Sequence, residues 1–278
     1  MSPRTTTPWK PSAVIRASFI VHGLALAVFI IRPELWIWVF ATLLGNHVAL
    51  TVFGLWPTCR YLGPNWIRLP ESARRRNEIA LTFDDGPDPE VTPRVLEVLD
   101  RYHAKASFFV IGARALQYPE LCREIARRGH TIANHSQHHK NGFACLAWSG
   151  LMQEILQAQQ TLKHITGQEP RLFRAPMGIR NPLLDPVLSR IGLPLVTWSR
   201  RGYDTRCRIG ETVLKRLAHN LIAGDIVLLH DGNSAIGPNG QPVVLEVLPK
   251  LLDIIAAKAL KPVTLQDALV EQRNGFER

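Results

Sequence analysis

The 278-residue chain is 20% charged and 46% hydrophobic, which excludes a disordered protein and leaves room for one large domain or two small ones. Its formal net charge of +10 calls for an anionic partner, lipid or nucleic acid. The basic residues border an apolar N-terminal region, which favours lipid. Four cysteines (Cys59, Cys122, Cys145 and Cys207) show no CxxC spacing, so free thiols are expected and a cysteine metal cluster is not.

Residues 1–16 are polar and basic, with Arg4, Lys10 and Arg16 and no acid. An apolar run over 17–31 is interrupted by His22 and Gly23, and a polar break at Arg32-Pro33-Glu34 precedes a second run over 35–56. A membrane span needs roughly 20 apolar residues, with Trp favoured at its ends. The second run, carrying Trp36, Trp38 and Trp56, meets this, whereas the first is marginal. With no small-residue cleavage site after the first run, a retained anchor of one or two spans is expected over 1–57, the bland rival being a pair of buried core helices. Two spans put both basic flanks on one face, and the positive-inside rule then leaves the main domain in the cytoplasm; one span exports it. Residues 58–77, with Pro64, Pro70 and the run Arg74-Arg75-Arg76, read as a basic linker that is solvated or faces lipid. No aromatic platform is interleaved with the arginines, so no nucleic-acid partner is expected.

From 78 to 278 short apolar runs alternate with longer amphipathic ones. Strands are expected at 79–83, 106–111, 131–134, 172–174, 195–198, 226–230 and 262–264. Helices are expected at 92–102 (with Thr92 as cap), 119–128, 150–165, 181–191, 211–221 and 244–257. This alternation predicts a parallel α/β array, either an open sheet or a barrel. Each polar cluster follows directly after a strand, which favours the barrel, whose catalytic groups come from the C-terminal strand ends.

The first strand ends in Asp84-Asp85-Gly86-Pro87. On an unbroken strand the two carboxylates point to opposite sides, and two anions this close call for a cation. The third strand leads into Asn134-His135-Ser136-Gln137-His138-His139, where one helical turn would bring His135 and His139 to the same side. Two imidazoles and a carboxylate form a cation site with open positions; alone, the histidines are as readily a surface cluster. His138 is read as flanking. The strand at 172–174 delivers Arg174, which fits either a structural ion pair or a guanidinium that keeps a carboxylate ionised. The strand at 226–230 delivers His230-Asp231-Gly232.

Thr82-Phe83-Asp84-Asp85-Gly86-Pro87, His135-Ser136 through His139, Arg174 through Gly178, and Leu229-His230 resemble, in order, the motifs of the polysaccharide deacetylases, the NodB-homology carbohydrate esterases. The resemblance covers about residues 77–270. It implies a distorted (β/α)7-type barrel behind the hydrophobic helical anchor, removing N-acetyl or O-acetyl groups from sugars with a divalent cation, usually Zn2+, with Co2+ or Ni2+ as alternatives. It assigns Asp85, His135 and His139 to the metal, Asp84 to the general base, Arg174 to orienting that base, and His230 to the general acid tuned by Asp204. Leu229 would line the acetyl pocket and the Met177 backbone N–H would meet the oxyanion. The chain departs from the family at Met177, where an aromatic residue is usual, and at Thr205, where Trp usually follows the aspartate. Trp198 and Trp148 could line the site instead, with core packing the ordinary role for both. The expected partners are an N-acetylated glycan and membrane lipid at a bacterial-type inner membrane, with the side of the catalytic domain open.

Overall fold

The computed structural model describes residues 8–274; Arg4 lies outside them. Helices α1 (Ala13–Ile31) and α2 (Trp36–Leu55) come first, then α3 (Glu71–Arg75) and β1 (Glu78–Asp84). They are followed by α4 (Thr92–Arg101), β2 (Ala106–Val110), α5 (Gly112–Gln117), α6 (Pro119–Arg127) and β3 (Thr131–Asn134). Next come α7 (Trp148–Thr166), α8 (Leu184–Ile191), β4 (Arg200–Arg201), α9 (Gly210–Ala218), β5 (Ile226–His230), α10 (Val243–Ala257), β6 (Lys261–Pro262) and α11 (Leu265–Asn274). The residues divide into two compact units. A helical unit takes 1–65, 140–152 and 175–195, and a barrel unit takes 66–139, 153–174 and 196–278.

In the helical unit, α1 and α2 are both long and apolar enough to cross a membrane, a property that signal sequences share. They are not core helices: only Ile15, Ser18 and Ala25 of α1, and Leu50 and Gly54 of α2, are buried. Large apolar side chains such as Phe19, Leu24, Ile30, Trp38 and Phe40 stand exposed, which a water-soluble surface rarely sustains over this extent. The base of the hairpin is fixed by the unit's other segments. The Trp9 indole N–H donates to Asp185 at 2.7 Å, and the Arg180 backbone N–H donates to the Gly54 carbonyl at 3.0 Å. A Cβ on Gly54 would sit 2.1 Å from the Arg180 carbonyl oxygen, so only glycine allows this approach.

In the barrel unit the parallel order is β3-β2-β1-β5-β4, with β6 pairing the start of β1. Alternation along β1 divides the core. Ile79, Leu81 and Phe83 face the helices with Val227 and Leu229 of β5, whereas Ala80 faces inward with Ile226 and Leu228. Burial on both faces explains why these strands read as continuous apolar runs.

The expected strands at 172–174 and 195–198 shrink to single bridges, Asn134 with Phe173 and Trp66 with Val196, and the pairing in this region falls instead at Arg200–Arg201. Pro170, Pro176 and Pro194 supply no backbone N–H for a ladder. Arg174 takes the place of one. Its Nε and Nη2 donate to the carbonyls of Val196 and Thr197 at 3.2 and 2.9 Å. With the Val196 N–H donating to the Phe173 carbonyl at 2.9 Å and the Ser199 N–H to that of Ile226 at 3.0 Å, the ring from β3 round to β5 is closed. The fold is the expected distorted barrel, completed on one side by a side chain.

Residues 66–77 pack on the barrel, with Leu69 and Ala73 buried. Their arginines find acids: Arg68 reaches Asp225 at 2.8 Å, Arg74 reaches Glu71 at 2.8 Å and Arg76 reaches Glu78 at 2.6 Å. Thr92 is not the cap of α4. It is the helix's first residue, and its hydroxyl accepts from the Asp88 N–H and donates to Asp231 at 2.6 Å.

Candidate active site and metal centre

β1 ends at Asp84, and Asp85 turns into the left-handed region with φ +72°. This break overturns the opposite-sides expectation. The His135 Nε2 lies 3.8 Å from an Asp84 oxygen and 3.4 Å from Asp85 Oδ1, so both carboxylates meet the same imidazole. The turn needs a neighbour without a side chain: a Cβ on Gly232 would lie 2.4 Å from the Asp85 carbonyl oxygen.

No helical turn joins His135 to His139. The segment is a loop, with Ser136 and His139 at φ +64° and +50°. An Asx-type turn shapes it, the Asn134 side chain accepting from the Ser136 N–H at 2.8 Å while its amide donates to Gln159 on α7 at 2.8 Å. The Ser136 hydroxyl then accepts from the His139 N–H at 3.0 Å. His138 turns away to Glu154 at 2.9 Å, consistent with a flanking position.

His139 Nε2 lies 3.2 Å from Asp85 Oδ1, and ligand atoms of Asp85, His135 and His139 all fall within 4.8 Å of one another. The His135 Nδ1–H donates to the Arg174 carbonyl at 2.9 Å, which leaves its Nε2 lone pair to the cluster. Two imidazoles and one carboxylate at this spacing fit a divalent ion of the zinc type, and the backbone bond of His135 orients one of those ligands.

The electrostatics agree with a site built for positive charge. Burial works against ionisation of Asp85, yet the hydrogen bond from His135 and the neighbouring imidazoles outweigh it and hold its carboxyl well below the usual range. Burial also opposes a charge on His135, but Asp84 and Asp85 push it up. On His139 burial prevails, aided by His135, and its pKa falls. A cation shared by all three would satisfy the same carboxylates without a proton.

Arg174 is fully buried beneath this cluster. One Nη1 serves both Asp84, at 2.5 Å, and the Thr82 hydroxyl, at 2.9 Å, while the guanidinium lies 3.9 Å from the centre of the Phe109 ring. Burial depresses its pKa, though a guanidinium in contact with Asp84 keeps its charge.

His230 is the registered neighbour of Asp84 across the parallel β1–β5 pair, so both stand at one strand end and on one face. Its Nδ1 is 2.8 Å from Asp204 Oδ1, and its backbone N–H donates to Oδ2 of the same carboxylate at 2.8 Å. Burial favours the neutral ring, but the Asp204 charge and hydrogen bond outweigh it and raise His230 to about 9.

Two of the expected residues stand elsewhere. Leu229 faces the helix layer and is fully buried there; Leu228, two residues before His230, shares the inward face instead. Strand alternation could have made that choice from the sequence. Trp198 is 6% exposed in the inner core, stacked near Arg201 at 5.1 Å, so it is a packing residue. Met177, with φ +57°, belongs to the helical unit, as does Trp148.

Other neighbours of the site escaped the sequence reading. The Asn233 amide donates to Asp85 Oδ2 at 3.2 Å, and Arg114 donates to the Asn233 carbonyl oxygen at 3.1 Å. A chain from α5 through a loop amide thus fixes the ligand carboxylate from behind. Asp231 is buried with Thr92 as its hydroxyl donor, and burial raises it to about 7. Asn233 sits in a left-handed turn with no periodic pattern, so only its closeness to His230 marked it.

The comparisons agree with this geometry. A family model for polysaccharide deacetylase matches residues 71–196. A peptidoglycan-N-acetylglucosamine deacetylase of Listeria monocytogenes is 37% identical over 174 residues, 62% of this chain; the match spans only 36% of that relative's length. A chitooligosaccharide deacetylase of Azorhizobium caulinodans is 39% identical over 57% of this chain and 76% of its own. A Bacillus cereus peptidoglycan-N-acetylglucosamine deacetylase is 34% identical over 69% of this chain and 87% of its own. Among solved structures, a peptidoglycan N-acetylglucosamine deacetylase superposes with a TM-score of 0.67 at 27% identity, covering 73% of this chain and 92% of that one. A Bacillus anthracis CE4 family pseudoenzyme shares the fold with a TM-score of 0.66 at 20% identity, over 74% and 69% of the two chains. By fold, motifs and sequence the chain belongs to the polysaccharide deacetylase family.

Proposed function

We propose that the chain is a metal-dependent hydrolase that removes N-acetyl groups from an amino-sugar glycan. The observation that carries this reading is the meeting of Asp84 with the Asp85–His135–His139 cluster beside His230 at one strand end. Asp85, His135 and His139 would hold a divalent cation, zinc by the nature of the donors, and it would supply Lewis acidity at the site.

The chain's own groups then move the protons. Asp84 accepts one as water adds to the carbonyl carbon, and Arg174 keeps that carboxylate ionised and fixed. His230, protonated against Asp204, gives a proton to the sugar nitrogen as the C–N bond breaks, leaving acetate and a free amine. Asp204 holds Nδ1, so Nε2 is the atom that delivers the proton. Leu228 replaces Leu229 as the apolar residue offered to the acetyl methyl.

Residues 1–57 serve as a membrane anchor, 58–77 connect it, and 78–278 form the catalytic domain, at a cell membrane of the bacterial type. The test is acetate release from N-acetylated chitooligosaccharide or peptidoglycan fragments with and without a chelator. Release by Asp84→Ala at the parent rate removes Asp84 as base. Glycan binding without any release, with metal supplied, would instead put this chain with the pseudoenzyme on the same fold.

A further inference from the structure

A cavity of about 1160 Å³ is lined wholly by residues of the helical unit, none of them in the metal cluster. One wall is the base of the apolar hairpin, contributed by Ile15 and Phe19 of α1 and Leu50 of α2. The facing wall is the 181–190 strip leading into and through α8, together with Trp9 and Trp148. This volume is larger than the roughly 300–1,000 Å³ that encloses a drug-sized ligand.

The cavity is built rather than incidental. The Trp9–Asp185 hydrogen bond and the Arg180–Gly54 backbone contact lock its two walls together at the hairpin base. Its apolar lining is not consumed by protein packing: Phe19, Leu183 and Trp148 remain 60%, 40% and 39% exposed. A hydrocarbon chain fits such a lining, and bulk lipid could supply one.

The polar lining asks for more than hydrocarbon. His22 and His47 both face the cavity, their ring centroids 5.2 Å apart, and Arg190 joins them; no carboxylate lines it. Imidazoles within helices long enough to span a membrane are costly and usually mark a ligand or ion path. The Arg190 guanidinium, beside two imidazoles and an uncovered apolar wall, matches an amphiphile with a long chain and a phosphate.

We propose that this cavity binds the chain and phosphate of a lipid phosphate, a ligand site separate from the deacetylase reading above.

The full chain in phosphatidylcholine nanodiscs is titrated with geranylgeranyl phosphate, followed by native mass spectrometry. Geranylgeraniol, which lacks the phosphate, and inorganic phosphate are the controls. The expected result is saturable one-to-one binding of the phosphate lipid, at least tenfold weaker binding of the alcohol, and none of inorganic phosphate. Leu50→Trp, which fills the cavity, should weaken binding tenfold or more. Arg190→Gln, on an exposed residue where folding is not at stake, should bring the phosphate lipid down to the level of the alcohol. Equal, non-saturating uptake of both lipids, or Arg190→Gln binding like the parent, overturns the site. The same variants are assayed for acetate release from a soluble N-acetylated chitooligosaccharide, where both should match the parent. Saturable lipid binding with no acetate release from any form refutes the deacetylase reading alone; release without saturable binding refutes the lipid site alone.

Discussion

Replacing Asp204 with Asn separates the charge on His230 from its position. In the parent, the Asp204 carboxylate accepts from both the ring and the backbone N–H of His230, each at 2.8 Å. It carries the imidazole from an ordinary 6.5 to about 9 against burial. That interval corresponds to about 3 kcal/mol favouring the protonated ring. The sign follows from linkage: a histidine raised on folding contributes stability that is fully present below about pH 6.5 and is lost as pH rises through about 9. With Asn at 204 burial opposes the charge and only Asp84 and Asp85 still favour it, so the ring should fall back toward its ordinary value. At pH 7.5 the protonated fraction then falls from nearly complete to about one tenth, so a reaction needing the acid slows about tenfold or more. The assay is the pH profile of kcat for acetate release, with the His230 ring followed by NMR in parallel. The alkaline limb should move from near pH 9 to below pH 7. An alkaline limb that stays in place in Asp204→Asn would refute the assignment of His230 as the acid.

Arg174→Met leaves the Asp84 charge buried without its partner and opens the bonds to Val196 and Thr197, so urea unfolding should show a loss of about 3–5 kcal/mol; a loss under 1 kcal/mol would contradict the role given to this side chain. Asn233→Leu removes the amide behind Asp85 and should weaken metal affinity about 10- to 100-fold, measured by competition with a chromogenic chelator, with the fold intact by circular dichroism. Dialysis against a strong chelator should abolish acetate release and added Zn2+ should restore it; retained activity with verified metal loss would end the metal reading. Asp231, held protonated up to about 7 by burial, makes stability fall as pH rises from about 4 to 7, because the unfolded chain has already lost that proton. Asp231→Asn should flatten that slope in thermal melts.

The polar strand ends were legible in the sequence because a parallel barrel delivers its C-terminal strand residues to one rim. Hence Asp84, Asp85, His135, Arg174 and His230 could be named before any coordinates. What failed were inferences resting on ideal local geometry. Asp84 and Asp85 alternate only on an unbroken strand, and Asp85 is left-handed; a helical turn would pair His135 with His139, but a loop with two left-handed residues joins them. The family resemblance points to Leu229, but the alternation of β5 puts Leu228 on the His230 face. The strands at 172–174 and 195–198 were overread because apolar runs bounded by prolines look like strands whether or not a ladder forms. Asn233 and Arg114 act through a contact between distant segments, to which single-sequence patterns are blind.

The guanidinium at position 174 has a consequence for how this scaffold tolerates change. One planar group closes the gap between two neighbouring segments and neutralises the Asp84 carboxylate next to it. Mechanical slack along that flank would therefore be felt as a change in basicity, and a lost anion at Asp84 would be felt as slack. A variant selected to work on bulkier sugars by widening this side of the rim would have to find a new counter-charge at the same time.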